Sequence, residues 1–187
     1  MPVDELWFHA DRAIQQAEQA YHRLAESHED FQEYEDHRRV SRSRFRELAR
    51  RVQQTGAPFG AHALVSNPDA ELLLVRHEGV DRWVLPGGEV HPEESFRNAA
   101  ERELAEEAGI AADFQGLAML TRVSFSWEEH EAWGVLPVFA AQSAADEPTV
   151  EDPDDEISRA AWFEDLPPDT RDRHILENWR ERAIGDD

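Results

Sequence analysis

The first 56 residues carry apolar side chains at helical spacing. From Leu6 to Leu24, leucine and alanine recur every three or four positions, as expected for the buried face of an amphipathic helix. A second apolar run extends from Phe31 to Val52 and stops at Gly56-Ala57-Pro58, which is typical of a helix end. The pattern therefore predicts a helical hairpin in this segment, with a break near Ser41.

After this segment, short apolar runs bounded by turn residues are typical of β-strands. The first two runs flank Asn67-Pro68-Asp69 and predict a hairpin. Pro92 suits the first position of a helix and Gly109 suits its end. The predicted strands are residues 61–65, 71–75, 82–85, 114–126, 131–141 and 157–163, and the predicted helices are residues 92–108 and 171–184. This order predicts an α/β domain over residues 57–187, preceded by a helical hairpin extension over residues 1–56.

The charge of the chain is strongly negative. Its 187 residues include 41 acidic and 19 basic side chains, which gives a net charge of −22, and every basic side chain is an arginine. This balance is typical of a cytoplasmic protein from a halophile, because concentrated salt screens the repulsion between carboxylates. The same charge attracts nucleic acid only weakly, so nucleic acid is not an expected partner.

The composition also restricts the class of protein. The chain has no cysteine, which excludes disulfides and thiolate metal sites, and 40% of its residues are hydrophobic, enough for a folded core. No stretch approaches the roughly 18 apolar residues of a membrane span. The N-terminus lacks the pattern of a secretory signal. We therefore expect a folded cytoplasmic protein with no membrane partner.

One predicted helix carries a cluster of three glutamates. Glu103, Glu106 and Glu107 are spaced i, i+3 and i+4, which places them on one helix face. At a separation of ~6 Å and an effective dielectric constant of ~20, each repulsive pair costs about 3 kcal/mol. A hard divalent cation prefers carboxylate oxygens and would reverse this repulsion. The cluster therefore predicts a metal site.

Further residues stand at fixed intervals before the cluster. Gly88 is followed after five residues by Glu94 and, after seven more, by Arg102–Ile110, which reads RELAEEAGI. This arrangement resembles the complete Nudix box, and the resemblance extends over roughly residues 60–165. It implies an α/β/α sandwich around a mixed sheet. It also implies hydrolysis of a nucleoside diphosphate linked to another group, with Mg²⁺, or Mn²⁺ in its place, as the cofactor.

The resemblance further implies roles for individual residues. Arg102 would orient the glutamates, and Glu94 would support the metal shell through water or a hydrogen bond. Gly109 would adopt a left-handed conformation. The residues implied to bind the metal are Glu103, Glu106, Glu107 and, through its carbonyl group, Gly87.

The attacking water requires a general base. Glu106 and Glu103 are the candidates within the box. In the acidic stretch from Val150 to Glu156, the last residue matches best. Because such a stretch is also typical of a solvated turn, both interpretations of it stay open.

The stretch from His37 to Arg51 holds seven arginines and a single acidic residue. These arginines could pair with the acidic domain or with a partner subunit. One or two, with Arg44 as the candidate, could instead bind substrate phosphates, since bidentate contacts suit guanidinium. A nucleic-acid surface is the third interpretation.

Phe125, Trp127 and Trp133 lie on or beside the two longest predicted strands. Aromatic residues there commonly pack in the core, but one of them, with Phe125 and Trp127 as candidates, could stack on a nucleobase. Neither the proline nor the tyrosine that marks two subgroups of the family stands in this region. A nucleotide substrate therefore stays broadly defined, as a nucleoside triphosphate, including oxidised ones, or an ADP-ribose-like compound.

Two other functions compete with a metal-dependent nucleotide pyrophosphohydrolase. One is a nucleotide-sensing regulator whose arginine-rich helices contact DNA, which does not require the intact acidic set. The other is an isoprenoid diphosphate isomerase, which would require a cysteine that the chain lacks. A homodimer is expected only by analogy with relatives.

Overall fold

The computed structural model describes residues 5–145 and 147–184, except for the side chain of residue 184. The helices within these residues are α1 (Glu5–Ser27), α2 (Arg42–Thr55), α3 (Phe96–Ala108) and α4 (Arg173–Ile184). The strands are β1 (Gln32–Arg39), β2 (Ala61–Ser66), β3 (Leu72–His77), β4 (Arg82–Val84), β5 (Gly87–Gly88), β6 (Asp113–Trp127), β7 (His130–Gln142) and β8 (Ile157–Phe163). None of the helices in the described part of the chain is long and apolar enough to cross a membrane.

The fold is a mixed α/β fold whose residues form two compact units. The first comprises residues 5–61, 88–99 and 119–138, and the second comprises residues 62–87, 100–118 and 139–184. The first contains a parallel strand pair and the second contains antiparallel pairs, so the sheet is mixed. The predicted α/β class is therefore confirmed.

In the first unit, α1 packs on α2 through small and aliphatic side chains. The buried residues of α1 are Leu6, Ala10, Ala13, Ala17, Ala20 and Leu24. Ser41 begins α2 because its Oγ accepts a hydrogen bond from the backbone N–H of Arg44. Gly56 ends α2 in a left-handed conformation, with φ of 89°. A Cβ at Gly56 would lie 2.5 Å from Cβ of Ala20, so only glycine allows this close approach.

The predicted helical hairpin is wrong over residues 28–41. Asp30, with φ of 58°, lies just after the end of α1, and Gln32–Arg39 forms a strand that pairs in parallel with β6. Side-chain exposure alternates along this strand, as its period of two requires. The segment becomes a strand because it meets β6, a contact that its own sequence does not reveal. The predicted break near Ser41 coincides with the start of α2.

In the second unit, β3 pairs in antiparallel fashion with β2, β4 and β8. The turn between β2 and β3 is fixed by Asn67, whose Oδ1 accepts hydrogen bonds from the backbone N–H groups of Asp69 and Glu71. The predicted hairpin is confirmed. The predicted strand at residues 157–163 is confirmed as well.

The predicted start of α3 at Pro92 is wrong. Pro92 and Glu93 form a turn in which Glu93 has φ of 64°, and the helix begins four residues later. Ser95 caps it, because its Oγ accepts a hydrogen bond from the backbone N–H of Asn98. A hydroxyl group that satisfies an N–H of the first turn outweighs the preference of proline for that turn.

Candidate functional site

The last two turns of α3 carry the acidic cluster. On the helix face that packs inward, Ala100, Leu104 and Ala108 are fully buried. On the other side, the side chain of Glu103 is 14% exposed and that of Glu106 is 35% exposed. The carboxylates are therefore held at the surface of the second unit, partly screened from water.

Arg102 contacts two of the three glutamates. Its Nη1 lies 2.7 Å from Oε1 of Glu103 and 3.4 Å from Oε2 of Glu106. One guanidinium group therefore offsets part of the repulsion between them and fixes their direction. The orienting role of Arg102 remains a prediction.

Glu107 is the most buried member of the cluster, with 7% of its surface exposed. Its Oε2 accepts a hydrogen bond from the backbone N–H of Gly87, at 2.9 Å. The pKa of Glu107 is raised to about 8, mainly by burial and in addition by the negative charges of Glu103, Asp152 and Glu156. The hydrogen bond from Gly87 opposes this shift. A nearby cation would favour the charged form, because it would cancel these repulsions.

An acidic loop, residues 149–156, is attached to the end of the same helix. The backbone N–H of Thr149 donates to the carbonyl of Ala108 at 2.7 Å, and that of Glu151 donates to the carbonyl of Glu106 at 3.0 Å. Gly109 lies beside these bonds with φ of +63°, and a Cβ there would lie 2.6 Å from the carbonyl oxygen of Thr149. The predicted left-handed glycine is confirmed, and it allows the loop to approach the helix.

Asp152 organises the second half of the acidic loop. Its carboxylate accepts hydrogen bonds from the backbone N–H groups of Asp154, Glu156 and Ile157, at 2.7–3.1 Å. Sequence reasoning did not single out this residue. The signal was present, because an Asp before Pro-Asp-Asp is typical of a side chain that closes a turn on its own backbone.

Glu156 stands at the end of this loop with its side chain 65% exposed, and its Oε2 lies 3.5 Å from Nε2 of His77. Its carbonyl accepts a hydrogen bond from the backbone N–H of Glu78. The loop is therefore fixed at both ends, and Glu156 contributes to the field that raises the pKa of Glu107. His77 is a neighbour of Glu156 that the sequence did not indicate.

The carboxylates of this cluster suit a hard divalent cation by their chemistry, since all are oxygen donors. Within residues 5–145 and 147–184, however, no group of three or more His, Asp or Glu side chains is arranged so that it could hold a metal ion. Glu94, which was predicted to support the metal, belongs to the first unit, where its Oε2 accepts a hydrogen bond from the backbone N–H of His91.

The three residues predicted to bind substrate all belong to the first unit. Phe125 is 1% exposed and lies edge-on to Phe45 at 5.4 Å, so it fills the core. Trp127 is half-buried and its ring is stacked parallel to that of His130, 5.8 Å away. Nη1 of Arg44 lies 2.8 Å from Oε2 of Glu47.

Several arginines of the basic stretch have partners within the first unit. Nε of Arg38 lies 2.7 Å from Oδ2 of Asp36, and its guanidinium lies 4.4 Å from the ring centre of Phe59. The guanidinium of Arg42 lies 5.6 Å from the ring centre of Trp127. Arg38 pairs with an acid of its own strand, so neither the acidic domain nor a partner subunit is needed to explain this ion pair.

Comparison with known proteins identifies the class to which this fold and site belong. The NUDIX domain profile matches residues 57–177, and the chain belongs to this family.

Among curated relatives, one from Bacillus subtilis (strain 168), named provisionally as an 8-oxo-dGTP diphosphatase, is 38% identical over 78 residues, 41% of this chain and 52% of that protein. The zebrafish (Danio rerio) protein named 8-oxo-dGDP phosphatase NUDT18 is 31% identical over 105 residues, 54% of this chain and 30% of that protein. The chain thus spans about half or less of the length of these relatives.

A solved structure of a NUDIX family hydrolase from Clostridium perfringens superposes with a TM-score of 0.51. Its sequence is 18% identical, and the match covers 66% of this chain and 94% of that one. This likeness supports the fold.

Proposed function

We propose that this protein hydrolyses a pyrophosphate bond in a nucleoside diphosphate derivative with the help of a divalent cation. The observation that carries the proposal is the acidic cluster of α3. Three glutamates lie in the last two turns of this helix, Arg102 contacts two of them, and the third, Glu107, accepts a hydrogen bond from the backbone N–H of Gly87. Membership of the NUDIX family supports the same chemistry.

The cation of the proposal is Mg²⁺, which Mn²⁺ can replace, as is general for this family. Its ligands would come from Glu103, Glu106 and Glu107, with the carbonyl of Gly87 as a further donor. When bound, such a cation neutralises phosphate oxygens and lowers the pKa of a bound water. Arg102 supplies a fixed positive charge that keeps Glu103 and Glu106 pointing the same way.

In this proposal the general base is a glutamate. The candidates lie in two places, on α3 and on the acidic loop. Glu106 and Glu103 lie on α3, where Arg102 restricts their movement. Glu156 lies on the loop, is largely exposed, and is held by backbone hydrogen bonds on both of its sides. A loop that is fixed in this way suits a residue that must meet a water molecule repeatedly at the same place.

The substrate of the proposal is a nucleotide. Two curated relatives carry names that refer to nucleotides of 8-oxoguanine, which supports an oxidised purine nucleoside triphosphate as the first compound to test. An ADP-ribose-like compound is the second. Trp127 is half-buried, and we propose it as a stacking surface for the base. Arg44 is the proposed phosphate-binding residue, and Phe125 packs on Phe45 in the core of the same unit.

The test is a hydrolysis screen with the full chain, Mg²⁺, 8-oxo-dGTP, dGTP and ADP-ribose, read by chromatography of the products. We expect a nucleoside monophosphate from at least one compound. Glu106→Gln should lower kcat by a factor of about 10²–10⁴, the usual contribution of a general base or charged ligand. Glu101→Gln makes the same change five residues earlier on α3 and should retain activity. Equal turnover by the wild-type protein and Glu106→Gln would contradict the proposal.

The two positions for the base can be separated by the pH dependence of kcat. If Glu156 is the base, Glu156→Gln should remove the acidic limb of the profile and leave the affinity for Mg²⁺ unchanged. If Glu106 is the base as well as a ligand, Glu106→Gln should weaken Mg²⁺ binding together with kcat. Calorimetric titration with Mg²⁺ measures the affinity independently of turnover.

A further inference from the structure

Strand β1 lies at an edge of the sheet. It pairs in parallel with β6 along its whole length, from Gln32 opposite Met119 to Arg39 opposite Ser126. Within the described part of the chain, β6 is the one strand that pairs with it. The other side of β1 therefore presents a row of backbone N–H and C=O groups, and such a row can accept another strand.

The charges along β1 change sign at its middle. Its first five residues are Gln32-Glu33-Tyr34-Glu35-Asp36 and its last three are His37-Arg38-Arg39. The exposed side chains alternate with half-buried ones, and the exposed set is Glu33, Glu35, His37 and Arg39. On the exposed face, two acidic residues are thus followed by a histidine and an arginine.

We propose that β1 pairs with β1 of a second copy of this chain, in antiparallel fashion, about a two-fold axis at Asp36. In that register Glu33 lies opposite Arg39 of the partner subunit, and Glu35 lies opposite His37 of the partner subunit. Both contacts occur twice because the interface is isologous. Antiparallel pairing matches the acidic half of each strand with the basic half of the other, which no parallel arrangement does.

The other registers fit less well. A shift by one residue would place exposed side chains opposite half-buried ones, because the side-chain period of a strand is two. A shift by two residues towards the N-terminus would place Glu35 opposite its own copy. A shift by two residues towards the C-terminus would pair Glu35 with Arg39 but would leave Glu33 opposite a residue beyond the end of the strand. At the proposed centre, Asp36 faces its own copy, but its charge is already offset by Arg38, whose Nε lies 2.7 Å away.

The partner is a second copy because the strand is complementary to itself. A net charge of −22 makes two copies repel each other at long range. A stable contact between them therefore requires local matching of opposite charges together with backbone hydrogen bonds, and β1 offers both. This inference does not depend on the proposed hydrolysis, since β1 lies outside the residues that match the NUDIX domain.

Cysteine cross-linking tests the register directly, because the chain contains no cysteine of its own. The single variant Asp36→Cys places two thiols face to face at the two-fold axis. Mild oxidation should convert most of this variant into a disulfide-linked dimer on a non-reducing gel. Gln32→Cys is the matched control on the same strand face, and it should stay monomeric on the gel because its copies lie at opposite ends of the interface. Equal cross-linking of both variants, or of neither, would overturn the proposal.

A charge exchange tests the contacts by sedimentation equilibrium. Arg39→Glu and Glu33→Arg should each weaken the dimer by at least about tenfold, roughly 1.4 kcal/mol. The double variant should recover most of the loss, since the opposite charges again face each other. Tyr21→Phe removes the hydrogen bond between Tyr21 and Glu33 without changing a charge, and it should leave the dimer intact. A monomeric wild-type protein, or a double variant weaker than both single ones, would refute the interface.

Discussion

At the scale of single residues, the acidic cluster differs from a charged surface because of Glu107. Most of the acidic side chains of this chain can remain in water, but Glu107 is buried beside two partly screened glutamates. Its pKa of about 8 reflects burial first and neighbouring negative charges after it. Burying a carboxyl group that has a single backbone hydrogen-bond donor costs free energy. A cation bound next to Glu107 would offset this cost.

This account predicts how Mg²⁺ changes stability. Ligand binding to the folded state alone raises the melting temperature with ligand concentration. We expect Mg²⁺ to raise the melting temperature of the wild-type protein, and the rise should be lost in Glu107→Gln. Glu101→Gln on the same helix serves as the control and should respond like the wild type. A scanning-calorimetry series in increasing Mg²⁺ checks the prediction, and an unchanged response of Glu107→Gln would rule out Glu107 as a ligand.

His62 on β2 allows a second prediction at this scale. Burial, and after it the positive charge of Arg171, lowers the pKa of His62 to about 4, and its Nδ1 is buried without a hydrogen-bond partner among the described residues. The unfolded chain takes up a proton near pH 6.5, whereas the folded one does so near pH 4. The unfolded state therefore binds more protons between these values, and the stability from this residue falls as the pH falls through that window.

Urea unfolding between pH 7 and pH 4 measures this effect. The wild-type protein should lose more free energy of unfolding over this range than His62→Gln does. Because His62 as a residue is only half-buried, we expect a difference below the roughly 3 kcal/mol that the whole shift would give. His174→Gln makes the same change at an exposed position of α4 and controls for loss of a ring. Parallel curves for the wild type and His62→Gln would contradict the assignment.

At the scale of elements, the junction between α3 and the acidic loop depends on Gly109. Its φ of +63° costs a side-chain-bearing residue about 1–2 kcal/mol. A Cβ there would also collide with the carbonyl oxygen of Thr149 at 2.6 Å. The backbone bond from Thr149 to Ala108 would then have to break or lengthen. The glycine therefore determines where Asp152 and Glu156 lie.

We expect Gly109→Ala to lower the free energy of unfolding by about 1–3 kcal/mol. Chemical unfolding in urea measures this change, and kcat should fall as well because the loop moves. Gly116→Ala is a matched control in β6, since nothing lies within 4 Å of a Cβ built there. Its unfolding free energy should change by no more than about 0.5 kcal/mol. Equal destabilisation by both substitutions would show that the loss of glycine, and not the junction, is responsible.

The helices and strands also show which parts of the fold can be predicted from the sequence alone. The helix of the acidic cluster and the strand at residues 157–163 follow from local patterns, because periodicity and terminal residues act over a few positions. Strand β1 does not follow from a local pattern. Its sequence, QEYEDHRR, is almost wholly polar and lacks a periodic pattern of hydrophobic residues. It becomes a strand by pairing with β6, more than eighty residues away, and β-structure depends strongly on such context.

The candidate site likewise has one part that could be predicted from the sequence and one part that could not. The spacing of Glu103, Glu106 and Glu107 is fixed by the geometry of one helix, so their relative positions along α3 can be predicted from sequence. The hydrogen bond from Gly87 to Glu107 and the position of Glu156 depend on contacts between segments far apart in the chain. No local pattern specifies these contacts, and the sequence placed Gly87 and Glu156 in the site only through the resemblance to the Nudix family.

At the scale of the whole molecule, the excess of acidic over basic side chains outweighs individual ion pairs. The net charge is −22 at pH 7. Exposed pairs such as Arg38 with Asp36 or Arg44 with Glu47 contribute at most about 1 kcal/mol each and weaken in salt. The repulsion among the remaining carboxylates is spread over the molecule and is greater in the compact state than in the unfolded chain.

We therefore expect stability to increase with salt. The Debye length falls from about 10 Å at 0.1 M to about 3 Å at 1 M, which removes most repulsion between separated charges. Urea unfolding at pH 7 in increasing KCl should give a rising free energy of unfolding, and urea is preferred because guanidinium chloride is itself a salt. Near pH 4.6, the isoelectric point calculated from the sequence, the net charge vanishes and the same series should be flat. A free energy that falls with KCl at pH 7 would mean that ion pairs such as that of Arg38 with Asp36 outweigh the repulsion among the carboxylates.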